Sequence, residues 1–64
     1  MIDLDFNQAK KHFNKGENVI LIAGIIFSQV INKDKYETFE EAIKVFYYYY
    51  VMPGWKIDFY KIDE

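Results

Sequence analysis

The apolar positions of this chain recur with two different periods, and each change of period marks an element. Phe6, Ala9 and Phe13 return at helical spacing, with Lys10, Lys11, Asn14 and Lys15 on the wet side between them. Asp5 and Gln8 have the spacing of a capping box, in which each side chain bonds the other's backbone amide. Leu4 and Ala9 are placed to form the accompanying hydrophobic staple. Gly16 stands where a left-handed C-cap belongs. Together these signals predict a first helix over residues 6–15.

Val19-Ile20-Leu21-Ile22-Ala23 is rich in β-branched residues and reads as a buried strand. The segment 25–31 fits either a second strand, with Gly24 marking a bend or tight turn, or a helix continuing through Asn32. Seven of the thirteen residues from 19 to 31 are Val or Ile, which favours the strand. Asn32 to Lys35 is a polar turn. Thr38-Phe39-Glu40-Glu41 then combines a second capping box with two acids in a first turn, and Phe39, Ala42, Ile43, Phe46 and Tyr50 line one face of the helix that follows. Pro53-Gly54 stops it. From Trp55 to Phe59 apolar and charged residues alternate, the mark of a half-buried closing strand.

The order helix, strand, strand, helix, strand predicts one α+β domain over residues 1–64: a three-stranded, mainly antiparallel sheet with two helices on one face. Such a sheet has an uncovered side. If Val19, Leu21 and Ala23 face the helices, Ile20 and Ile22 face away, and a second copy of the chain would cover them. A homodimer is therefore expected.

Phe46-Tyr47-Tyr48-Tyr49-Tyr50 is harder to place, because successive helical residues point about 100° apart and five cannot share one buried face. With the core direction set by Phe39, Ile43, Phe46 and Tyr50, the rings of Tyr47 and Tyr49 flank the core and Tyr48 lies opposite it. Val45 and Met52 project within roughly 60° of Tyr48. Val45, Tyr47, Tyr48, Tyr49 and Met52 are thus the candidate partner-binding residues, since tyrosine is rigid, amphipathic and favoured at interfaces. Were residues 45–51 a strand instead, their rings beside lysines would form a platform for stacking single-stranded bases. The capping signals upstream favour the helix.

Composition narrows the function classes. A chain of 64 residues buries only roughly 60% of its unfolded surface, so it needs some further source of stability. The absence of cysteine removes disulfides and thiolate metal sites. Dense packing and self-association remain, and a composition 52% hydrophobic and 20% aromatic suits both. The net charge of -2 opposes phosphate binding, and all eight basic residues are lysine, so the planar fork that reads guanine edges is missing. Nucleic acid is an improbable partner. The acidic N-terminus has no secretory pattern, and the longest apolar run, Val19 to Phe27, is far short of the ~20 residues that span a bilayer. Cytoplasmic residence is expected, and no membrane contact. Abundant Phe, Tyr, Ile, Asn and Lys without arginine is the bias of AT-rich coding, as in many phage and mobile-element genes.

Candidate chemistry is sparse. His12, the one histidine, lies among Lys10, Lys11 and Lys15 on the flank of the first helix. Asp3 and Asp5 form a commonplace pair of acids, one already suited to capping. Ser28 and Thr38 sit in no nucleophile elbow, and Gly16, Gly24 and Gly54 are isolated, so no phosphate loop exists. Asp58, Asp63 and Glu64 give the C-terminus an acidic bias softened by Lys56 and Lys61, with the alternating charge that discourages strand pairing. No catalytic residue, cofactor or metal is expected. The expectation is a non-enzymatic interaction protein, a small stoichiometric regulator or inhibitor of phage or mobile-element type that occupies a host protein. The alternatives are a dimeric nucleic-acid-associated regulator using Lys10, Lys11 and Lys15, and a structural subunit of a larger assembly.

Overall fold

A computed structural model describes residues 1–25 and 27–62. The elements in chain order are β1 (Ile2–Leu4), α1 (Phe6–Asn14), β2 (Val19–Ala23), β3 (Phe27–Ile31), α2 (Phe39–Tyr50) and β4 (Ile57–Lys61). The fold is α+β, as expected, but the sheet has four strands in the order β1-β4-β2-β3, all antiparallel to their neighbours. The three-stranded expectation missed β1. Three residues are too few to show a period, and Leu4 and Asp5 were already accounted for by the start of α1. What makes Ile2–Leu4 a strand is its pairing with β4, Ile2 opposite Lys61 and Leu4 opposite Phe59.

Both ends of α1 are set by local chemistry. The Gln8 amide donates to Asp5 Oδ1 at 2.8 Å, and the Asp5 amide donates to Gln8 Oε1 at 2.9 Å. At the other end Gly16 adopts φ +86°, which lets the Glu17 amide reach the His12 carbonyl at 3.0 Å and its own amide reach that of Phe13 at 2.9 Å. That pair of bonds is a Schellman motif. At the start of α2 the Glu41 amide donates to Thr38 Oγ1 at 3.1 Å, but Glu41 does not return the bond, so this cap is half of the expected box. The helix ends at Tyr50. Val51 is already extended (φ -110°, ψ 122°), ahead of the residue that Pro53 restricts.

The register sorts the strand residues onto two faces. Val19, Leu21 and Ala23 of β2 lie level with Ile31, Gln29 and Phe27 of β3, and Leu21 and Ala23 with Phe59 and Ile57 of β4. This side carries the core: Leu4, Val19, Leu21, Ala23, Ile31 and Ile57 pack with Ala9 and Phe13 of α1 and Phe39, Ala42 and Phe46 of α2. Phe39 is the hub of the helical layer, its ring 5.2 Å from Phe6, 5.6 Å from Phe13 and 6.0 Å from Phe59. Lys10 and Glu40 form an ion pair between the helices.

Among the described residues no helix lies over the opposite side. Val30, Ile20, Tyr60 and Asp3 form one lateral row there, and Ser28, Ile22 and Asp58 the next. Burial within this row, together with the charges of Asp58 and Asp3, raises the Tyr60 hydroxyl pKa above its ordinary value. The expectation that Ile20 and Ile22 point away from the helices is met.

Candidate functional site

The second helix delivers its aromatic run to one end of the molecule. Phe46 is buried and Tyr50 partly so, while Tyr47 is 48%, Tyr49 69% and Tyr48 82% exposed. This gradient follows from helix rotation, with Tyr48 farthest from the core. Val45 is half-buried. Met52 is 60% exposed, but it lies beyond the end of α2, so its position is not set by the helical rotation that the sequence pattern implied. Because residues 45–50 are helical, the strand-borne platform for stacking bases does not form.

The rings are not isolated. Tyr48 and Tyr49 meet edge to face with centroids 4.9 Å apart, Tyr49 and Tyr50 are 6.4 Å apart, Tyr50 and Phe27 5.7 Å, and Phe27 and Trp55 6.1 Å. A chain of five aromatic rings therefore runs from the last turn of α2 across β3 to the segment before β4. Gln29 Nε2 anchors it, donating to the Tyr50 hydroxyl at 3.2 Å. Gly24 in the β2–β3 turn has φ +62° and presses on the indole, where an added Cβ would come 3.3 Å from Trp55 Cζ3. Next to it Ile25 is 99% exposed.

Residues 18–32 and 45–55 contain no charged side chain, and the fold sets the middle of the first, Gly24 and Phe27, against Tyr50 and Trp55 of the second. Sequence reasoning found the tyrosines but not Ile25, Phe27 and Trp55 beside them. The paired charge gaps were the available signal. Comparison with protein-family models, with curated proteins and with solved structures finds no match to this chain.

The remaining candidates are dispersed. His12 Nδ1 lies 3.1 Å from Glu17 Oε1, which also accepts from Lys61 Nζ at 3.3 Å. The hydrogen bond from His12, then that from Lys61, lowers the Glu17 pKa below its ordinary 4.5. Glu17 was not anticipated, since the Schellman turn and the return of β4 are what bring its partners together. A shallow concavity of 510 Å³ opens beside the Glu17–Lys61 pair, bounded also by Ile2, Ile20, Val30 and Ile62. Ser28 lies on the open face of the sheet, Thr38 caps α2, and the Asp5 carboxylate is taken by the Gln8 amide. The fold thus places neither hydroxyl with His12. Asp58 is on the open face, 4.0 Å from Lys56, whereas Asp63 and Glu64 lie outside the described residues.

Proposed function

We propose that this chain is a non-enzymatic protein–protein interaction module whose aromatic end is the contact surface. The supporting observation is the ring chain from Tyr48 through Tyr49, Tyr50 and Phe27 to Trp55, lying where two uncharged segments converge. Interface centres are enriched in aromatic residues and methionine and depleted of charge, and this end has that composition with Met52 beside it. A rigid tyrosine contributes contact area at little entropic cost. Tyr47, Tyr48, Tyr49 and Met52 make the contact, with Val45 and Phe27 at its margin. The biological reading is a small stoichiometric regulator or inhibitor, of the kind phages and mobile elements use, that works by occupying a host protein. Against a nucleic-acid role stand the absence of arginine and the engagement of Lys10 by Glu40, which leaves a lysine stripe on α1 partly neutralised. Among the described residues no helix is long and apolar enough to cross a membrane.

The test is affinity capture with the wild type and a Tyr48→Glu, Tyr49→Glu variant at low and high salt. The expected result is a protein retained by the wild type at both salt concentrations and lost by the variant, with the melting temperature of the two chains alike. Identical capture by both would overturn the assignment. So would retention that collapses as salt rises, which is the signature of phosphate neutralisation.

A further inference from the structure

The two edges of the sheet are unlike. β1 offers three residues with Asp3 among them and Asp5 immediately after, while β3 offers the five residues Phe27–Ile31, none charged and none proline. Natural edge strands are kept from pairing by shortness, charge, proline or bulges. β1 has two of these protections and β3 none within its own span. At the outer edge of β3 the Lys35 ammonium donates to the Val30 carbonyl at 3.5 Å.

That contact reveals which main-chain groups point outward. In an antiparallel ladder a residue directs its N–H and C=O to the same side. If the Val30 carbonyl faces out to Lys35, so does the Val30 amide, and by the two-residue repeat so do both groups of Ser28. Phe27, Gln29 and Ile31 turn inward to Ala23, Leu21 and Val19.

We propose that β3 pairs antiparallel with β3 of a second copy about a two-fold axis through Gln29, joining two four-stranded sheets into one of eight strands. In this register Ser28 stands opposite the second copy's Val30, and each such pair exchanges both of its main-chain hydrogen bonds, so the four outward groups on each edge are satisfied together. Gln29 stands opposite its own equivalent, and Phe27 opposite Ile31. No charged side chain of the strand meets another of like sign, because β3 carries none. The occupant is a second copy because the same two residues supply every donor and acceptor in matching positions on both sides, the self-complementarity that a two-fold interface requires. The long contact from Lys35 gives way to a strand amide. The pairing uses main-chain groups of β3 and is independent of the tyrosines at the aromatic end.

Solution mass across a concentration series, by light scattering after size exclusion, tests this on the wild type, Ser28→Pro and Tyr48→Glu. Proline at 28 deletes an outward N–H and no bond to β2. The wild type and Tyr48→Glu should have twice the 7.7 kDa chain mass, and Ser28→Pro should fall twofold to the monomer while still melting cooperatively. In the wild type the amides of Ser28 and Val30 should exchange with solvent more slowly at high protein concentration than at low. A wild-type monomer at every concentration overturns the proposal, as does a dimer that survives Ser28→Pro but is lost in Tyr48→Glu. If Ser28→Pro does not fold, the exchange measurement decides, and rates at these two amides that do not change with concentration overturn it.

Discussion

Gln29 Nε2 donates to the Tyr50 hydroxyl at 3.2 Å, tying the last turn of α2 to the edge strand β3. Tyr50 is thereby held against Phe27 and Phe46, with ring centroids at 5.7 and 5.5 Å, and the two residues before it are turned outward. Tyr50→Phe removes the hydroxyl and leaves the ring. It should cost about 0.5–1.5 kcal/mol, the net value of one such bond, measured by urea denaturation. A larger loss would mean that the bond positions the whole aromatic end.

Phe46 and Tyr48 are two residues apart and have opposite surroundings, 2% and 82% exposed. Phe46→Ala should cost ~3–5 kcal/mol, a large part of the roughly 3–10 kcal/mol expected for a domain of this size. Tyr48→Ala should shift stability by no more than ~0.5 kcal/mol. Parallel thermal melts check the contrast, and equal destabilisation would show that α2 is rotated from the orientation described.

Gly24→Ala forces a side chain into a positive-φ turn and toward the Trp55 ring at 3.3 Å. The conformational strain alone is about 1–2 kcal/mol. Because Trp55 is the single tryptophan, its fluorescence reports the displacement directly. The variant should melt lower and emit at an altered wavelength, whereas an unchanged spectrum would mean that the turn adapts without moving the indole.

The Glu17 carboxylate is held below its ordinary 4.5 by hydrogen bonds from His12 and Lys61, and Glu40 likewise by Lys10. A depressed folded-state pKa stabilises the fold above the unfolded value, and the contribution disappears as pH falls through the folded value. Acid should therefore destabilise the wild type from about 4.5 downward. Glu17→Gln should lose stability at neutral pH and show a shallower fall over the acidic range, read from melting temperature against pH. Both sites are solvent-exposed, so the effect should weaken in high salt.

The helices were the most legible part of the fold, because caps and apolar spacing act over neighbouring residues. Asp5, Gln8 and Gly16 perform their expected roles at α1, and the boundaries of β2 coincide with the apolar run that predicted it. For residues 25–31 the pattern favoured strand over helix without deciding between them, and Phe27–Ile31 is a strand. The pattern did not reveal β1, whose three residues become a strand only by lying beside β4. Met52 is exposed but lies past the end of α2 at Tyr50, so rotation about that helix does not set its direction. At the candidate site, the exposure of Tyr47, Tyr48 and Tyr49 was readable from rotation about one helix. The addition of Phe27 and Trp55 was not, because they arrive from segments some twenty residues before Tyr48 and several after it.

The sequence by itself determined the local elements, the side of each helix that enters the core and the aromatic excess on α2. These follow from periodicity, capping and composition, which depend on residues near one another in the chain. Tertiary structure alone decided the fourth strand, the strand order that leaves β3 as an unprotected edge, the convergence of two uncharged segments into one aromatic end, and the meeting of His12, Glu17 and Lys61. Each of these depends on which distant segments become neighbours, and the energy of that choice resides in burial and hydrogen bonds shared between segments rather than within any one of them.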